Sequence, residues 1–256
     1  MPLVKGFSYL LQGARLLSHP GLRLFVLLPL LVNIIMFAIG LGLLIFFISG
    51  WMNSVLGWLP QWLSGITWLL WFLFALLFGM AVFFGFNLIA NFIAAPLNGL
   101  LAEKVQLHLT GQDLGQSNWG AIAASIPRSI GREVSKLTYY LPRLMVLAML
   151  SLVSLIIPFV NFIVPWLWVL FGAWMMVIQY IDYPMDNNGF SFRAMRRSLR
   201  QQRLLHLGFG AGVSLLLMIP IVNFFAMPIA VAGATALYVA EHDVLTKIDQ
   251  QAQPHT

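Results

Sequence analysis

The chain has 256 residues, 60% of them hydrophobic and 9% charged, with a mean hydropathy of +0.88. A soluble domain cannot solvate that much apolar surface with that little charge, so the composition points to one integral-membrane domain over residues 1–256. The formal net charge of +6 comes from bases set beside apolar runs, which indicates anionic lipid headgroups rather than nucleic acid, and the lack of cysteine excludes disulfides, thiolate metal sites and a Cys nucleophile.

The N-terminal segment does not read as a cleaved signal peptide. Lys5 and Arg15 interrupt its apolar character and no A-x-A site follows, so the first helix is expected to stay. Next comes Pro20-Gly21-Leu22-Arg23. Pro suits the first turn of a helix, and Gly lets a ligand approach the backbone. The first N–H groups of a helix have no internal partner and carry partial positive charge. One guanidinium added there makes Gly21, Leu22 and Arg23 a candidate site for a tetrahedral oxyanion. The competing role for Arg23 is to snorkel to lipid phosphate.

From Leu24 to Ala102 there is no Asp, Glu, Lys or Arg. Leu24–Gly50 and Trp62–Ala94 each exceed the roughly 20 residues that cross a bilayer, which predicts a spanning hairpin over 24–94. The connector from Trp51 to Pro60 has turn formers and tryptophans, as suits an interface.

An amphipathic connector follows over 117–140. Arg128, Arg132 and Lys136 form a basic stripe, and Ile122, Ile126, Ile130, Val134 and Leu137 an apolar one. A short hairpin is predicted over 144–181, its first arm Leu144–Ile157 ending at Pro158. The basic connector 190–203 carries Arg193, Arg196, Arg197, Arg200 and Arg203, and a second short hairpin covers 204–240, its first arm ending at Pro220. First arms this short suit partial insertion, and basic amphipathic helices beside them suit the headgroup layer. Pro158-Phe159-Val160-Asn161-Phe162 is echoed by Pro220-Ile221-Val222-Asn223-Phe224, which pairs the two hairpins as an internal repeat. Gly208-Phe209-Gly210-Ala211-Gly212 contains G-x-x-x-G, a spacing that permits close helix packing. With every basic block placed on one side, both termini are expected in the cytoplasm.

Enzyme motifs are missing. No phosphate-binding G-x-x-x-x-G-K-[ST] loop, H-E-x-x-H or G-x-S-x-G occurs, and the histidines at 19, 108, 206, 242 and 255 are scattered. Glu241-His242-Asp243 has metal-ligand residue types, but neighbours on a helix point apart. No catalytic residue, metal site or cofactor is expected.

Several segments together resemble the CysZ family of bacterial sulfate-uptake membrane proteins. They are Pro20-Gly21-Leu22-Arg23 with Phe25-Val26-Leu27-Leu28-Pro29, Ala94-Ala95-Pro96-Leu97-Asn98-Gly99, Tyr140-Leu141-Pro142-Arg143, Gln179-Tyr180-Ile181-Asp182-Tyr183-Pro184 and Pro228-Ile229-Ala230-Val231-Ala232-Gly233. The resemblance implies a multi-pass sulfate permease or channel of the inner membrane that feeds cysteine biosynthesis. It also implies an all-α fold with two spanning helices and two part-inserted hairpins, assembled as a homo-oligomer. Its sulfate-binding motif falls on Gly21, Leu22 and Arg23. Some relatives have a second arginine next, where this chain has Leu24. A membrane scaffold that shapes the bilayer or braces a partner is the alternative.

Overall fold

A computed structural model describes residues 1–23, 27, 31, 34–43, 45, 46, 54, 67–114 and 119–241. Every regular element among them is helical: α1 (Pro2–Leu17), α2 (Thr67–Thr110), α3 (Trp119–Ser154), α4 (Pro158–Asn161), α5 (Val164–Asn187), α6 (Phe192–Leu199), α7 (Arg203–Leu217) and α8 (Pro220–Glu241), with a further helical run at Ile34–Leu43. The predicted span 24–50 is only partly described, and its connector and Glu241-His242-Asp243 fall largely outside the described residues. The described residues form two compact units, one within Met1–Pro29 and Ala95–Thr256, the other within Leu30–Ala94.

The protein is an all-α integral membrane protein. Two described helical segments are long and apolar enough to cross a bilayer, Ala124–Ser154 and Phe159–Asn187. Both reach into the region predicted as the first short hairpin, 144–181, while much of the predicted spanning hairpin 24–94 lies outside the described residues. Pro142 does not break α3, so most of the arm predicted as Leu144–Ile157 is the end of a 36-residue helix that begins in the amphipathic connector. At 1.5 Å per residue that helix is roughly 54 Å long.

Helix breaks fall where the proline repeat predicts them. Pro158 opens the single turn α4 after the chain leaves α3, and Pro220 opens α8 after α7. Around the first tip Leu155, Ile156, Phe159 and Phe162 are exposed, and near the second so are Met218 and Ile219. Large apolar side chains with no protein cover are stable only where lipid provides it.

The larger unit packs α1 against α7 and α8, and α5 against the same two helices. Its core includes Val177, Ile178 and Ile181 of α5, Phe209 and Val213 of α7, and Val231, Ala234 and Leu237 of α8. Glycine makes the crossings possible. A Cβ on Gly208 would meet the Leu3 carbonyl group, and one on Gly212 would meet the side chains of Phe7 and Leu10. The G-x-x-x-G spacing is therefore used within the chain, against α1. Tyr9 of α1 donates to Glu241 at 2.5 Å, and Lys5 pairs with the same carboxylate. Burial, and then that hydrogen bond, raise the Tyr9 hydroxyl above its ordinary pKa and keep it a donor.

Candidate functional site

The turn between α1 and the next helix holds the residues of the expected anion site. Ser18 caps α1, its amide and its hydroxyl both donating to the Arg15 carbonyl at 3.2 and 2.6 Å. The Leu22 N–H donates to the His19 carbonyl at 3.0 Å, which closes a turn over 19–22. Helical geometry begins at Arg23, so Gly21 and Leu22 precede the helix instead of forming its first turn.

Each of the three residues has a distinct setting. Leu22 is only 3% exposed and joins the core cluster, so it pins the turn to the protein. Gly21 is exposed, and a Cβ there would meet nothing within 4 Å, so ligand can reach its backbone. Arg23 is exposed and donates through Nε and Nη2 to the Ser18 carbonyl at 3.2 and 3.0 Å. A guanidinium has five N–H donors, so a single carbonyl leaves most of them for another acceptor. Nearby, the His19 ring meets that of His108, at the end of α2, with centroids 4.4 Å apart.

The sequence reading missed a second polar centre, between α3 and α5. Arg132 Nη2 lies 2.5 Å from Asp182 Oδ1, and its Nε lies 3.4 Å from Asp186 Oδ1. Arg128 Nε reaches Asp186 Oδ2 at 3.1 Å. Lys136 Nζ sits between Glu133 at 2.5 Å and Asp182 Oδ2 at 3.3 Å. Asn98 and Gln179 both donate to the Tyr183 hydroxyl, and Asn187 donates to the Gly99 carbonyl. A narrow pocket of about 20 Å³ opens among Pro96, Ser129, Arg132, Asp182 and Tyr183. That volume suits one water molecule but not a sulfate ion.

This network corrects the expected orientation of the basic stripe. The side chains of Arg132 and Lys136 are 11% and 5% exposed, so they face acids of α5 instead of lipid headgroups. Ile126, Ile130 and Val134, on the apolar stripe, are the exposed residues. The helix is polar inward and apolar outward, the reverse of a soluble amphipathic helix. A signal was present in the sequence: bases at 128, 132 and 136 match acids at 182 and 186 in four-residue spacing.

Comparison with known proteins agrees with this architecture. The family model described as Sulfate transporter CysZ/Etoposide-induced protein 2.4 matches residues 9–228. A Pseudomonas aeruginosa protein named sulfate transporter CysZ is 46% identical over 242 residues, covering 94% of this chain and 97% of its own length. Proteins of the same name from Pseudomonas fluorescens (strain Pf-5) and Vibrio cholerae are 48% and 43% identical, covering 95% and 93% of this chain and 96% and 94% of their own lengths. A match of that extent, across both the turn at 19–22 and the ion-paired helices, means that this chain belongs to the sulfate transporter CysZ family.

Proposed function

We propose that this protein is a sulfate permease of the bacterial inner membrane, supplying sulfate for cysteine biosynthesis without catalysing a reaction. The carrying observation is 43–48% identity with proteins named sulfate transporter over nearly their whole length. The geometry of the turn supports the same reading. An exposed guanidinium beside an open glycine backbone, anchored by a buried leucine, offers fixed donors to a tetrahedral dianion.

On this reading Gly21, Leu22 and Arg23 form the sulfate site. A dianion cannot cross hydrocarbon unaided, because its desolvation cost is very large. The polar route runs between subunits of a homo-oligomer, and the chain crosses the membrane several times with both termini in the cytoplasm. Anionic lipids hold the outward-facing bases.

The test is sulfate flux into liposomes containing only this protein. Saturable sulfate entry above that of empty vesicles, lowered by Arg23→Ala, is the expected result. Flux equal to empty vesicles from well-folded protein overturns the transport reading and favours the membrane scaffold.

A further inference from the structure

On the surface between α3 and α6 lies a wide basin of about 610 Å³. Tyr139 and Arg143 of α3 line one wall, and Ser191, Arg193 and Arg196 line the other. No carboxylate contributes to it, and none of these three arginines takes part in the ion pairs formed among the described residues.

The basin concentrates positive charge around the Tyr139 ring, with the Phe192 ring beside it 5.0 Å from the Arg196 guanidinium carbon. Arg143 stacks over Tyr139 with its guanidinium carbon 3.6 Å from the ring centroid, while Nη1 donates to the Tyr139 carbonyl at 2.6 Å. The Arg196 guanidinium carbon lies 4.8 Å from the same centroid. The Trp174 indole donates to the Tyr139 hydroxyl at 3.2 Å, which fixes the ring. Two guanidiniums on one ring repel each other, and the ring quadrupole offsets only part of that. The Arg196 Nε is moreover buried without a hydrogen-bond partner. A buried donor on a cation is costly unless an acceptor reaches it. Ser191, the N-cap of α6, accepts from Ala194 N–H, so its own O–H stays available as a donor.

Position narrows the ligand. Just past Arg143 on α3, Met145, Val146, Met149 and Leu152 are 64–68% exposed, so the basin sits where the lipid-facing apolar surface begins. We propose that this basin is a second tetrahedral-oxyanion site, separate from the Gly21-Leu22-Arg23 turn, in which Arg143, Arg193 and Arg196 grip one anionic group. Two sources offer that group at this level, the phosphate of an anionic lipid and a free sulfate or phosphate ion.

The experiment uses full-length protein freed of lipid by detergent exchange. Retention of phosphatidylglycerol, with phosphatidylcholine as reference, is measured by native mass spectrometry. Binding of radiolabelled sulfate and inorganic phosphate is measured in parallel. Arg193→Gln and Arg196→Gln are compared with Arg197→Gln, which changes an exposed base on α6 outside the basin. The expected result is a loss of about tenfold in oxyanion retention for the basin variants, the value of one charge-assisted bond, with Arg197→Gln like wild type. Loss confined to phosphatidylglycerol supports a lipid site, and loss confined to sulfate or phosphate supports a free-anion site. Equal retention of every probe by the basin variants and Arg197→Gln overturns the proposal. Should Arg196→Gln fail to run as a single species on gel filtration, the exposed Arg193→Gln decides alone. Sulfate binding removed by Arg23→Ala but untouched here separates this test from that of the transport site.

Discussion

A Cβ placed on Gly13 of α1 would stand 2.6 Å from the backbone nitrogen of Gly233 of α8, so the two helices touch backbone to backbone at these glycines. The Ile229 carbonyl lies closer still. No rotamer can relieve a clash with main-chain atoms. Gly13→Val therefore forces α1 off the bundle. The expected cost is at least the roughly 1–3 kcal/mol typical of overpacking, read as a lower melting temperature of detergent-solubilised protein. Gly42→Val, where a Cβ meets nothing within 4 Å, leaves that temperature unchanged.

Asp182 is buried and the Arg132 side chain is 11% exposed, so removing either takes the closest counter-charge from the other. Arg132→Ala and Asp182→Ala should each destabilise the protein by about 3–5 kcal/mol. The double variant should cost less than the sum, because neither charge is then left alone. Additive losses in denaturant titrations would show that the two residues act independently.

At the proposed anion site, Arg23→Ala should weaken sulfate binding by about 1.5–3 kcal/mol, the value of a hydrogen bond to a charged group. Stability should change little, because the side chain is exposed. Arg23→Lys keeps the charge but loses the planar fork that grips the Ser18 carbonyl, so its affinity should fall between the two. Equilibrium binding of labelled sulfate measures all three proteins.

Leu22 is buried where its neighbours are exposed. Leu22→Ala should cost about 2–5 kcal/mol through the cavity it leaves. The turn should also loosen, so affinity for sulfate falls although no ligand donor has been removed. Calorimetry of unfolding beside sulfate binding separates the two effects.

Both termini are proposed to face the cytoplasm. The chain has no cysteine, so an introduced thiol is unique. Ser8→Cys and Gln253→Cys in intact cells should resist an impermeant maleimide and react after the inner membrane is opened. Labelling of either in intact cells would reverse the topology.

Much of this fold was legible in the sequence because bilayer physics writes in long uncharged runs. Prolines 158 and 220 marked helix breaks correctly, since a missing N–H acts locally. The length of α3 was not legible. The predicted connector ended at 140 and the predicted hairpin began at 144, but one helix runs unbroken through both and through Pro142. The basic stripe was recognised as a stripe and assigned the wrong neighbour. Helical periodicity says which residues share a face, not what that face meets, and the acids that meet it lie on another helix about fifty residues on. The turn at 19–22 was singled out through residue types, yet its anchor, the burial of Leu22, depends on tertiary packing that no spacing encodes.

The ion network between α3 and α5 holds three cations, Arg128, Arg132 and Lys136, against three carboxylates, Glu133, Asp182 and Asp186. Its charges sum to zero. A transmembrane voltage does work on net charge, about 2.3 kcal/mol per elementary charge per 100 mV. As a unit the paired cluster therefore feels no net pull from a uniform field. Neutralising one member, as in Asp182→Asn, would leave an uncompensated cation and make the position of this helix pair sensitive to the membrane potential.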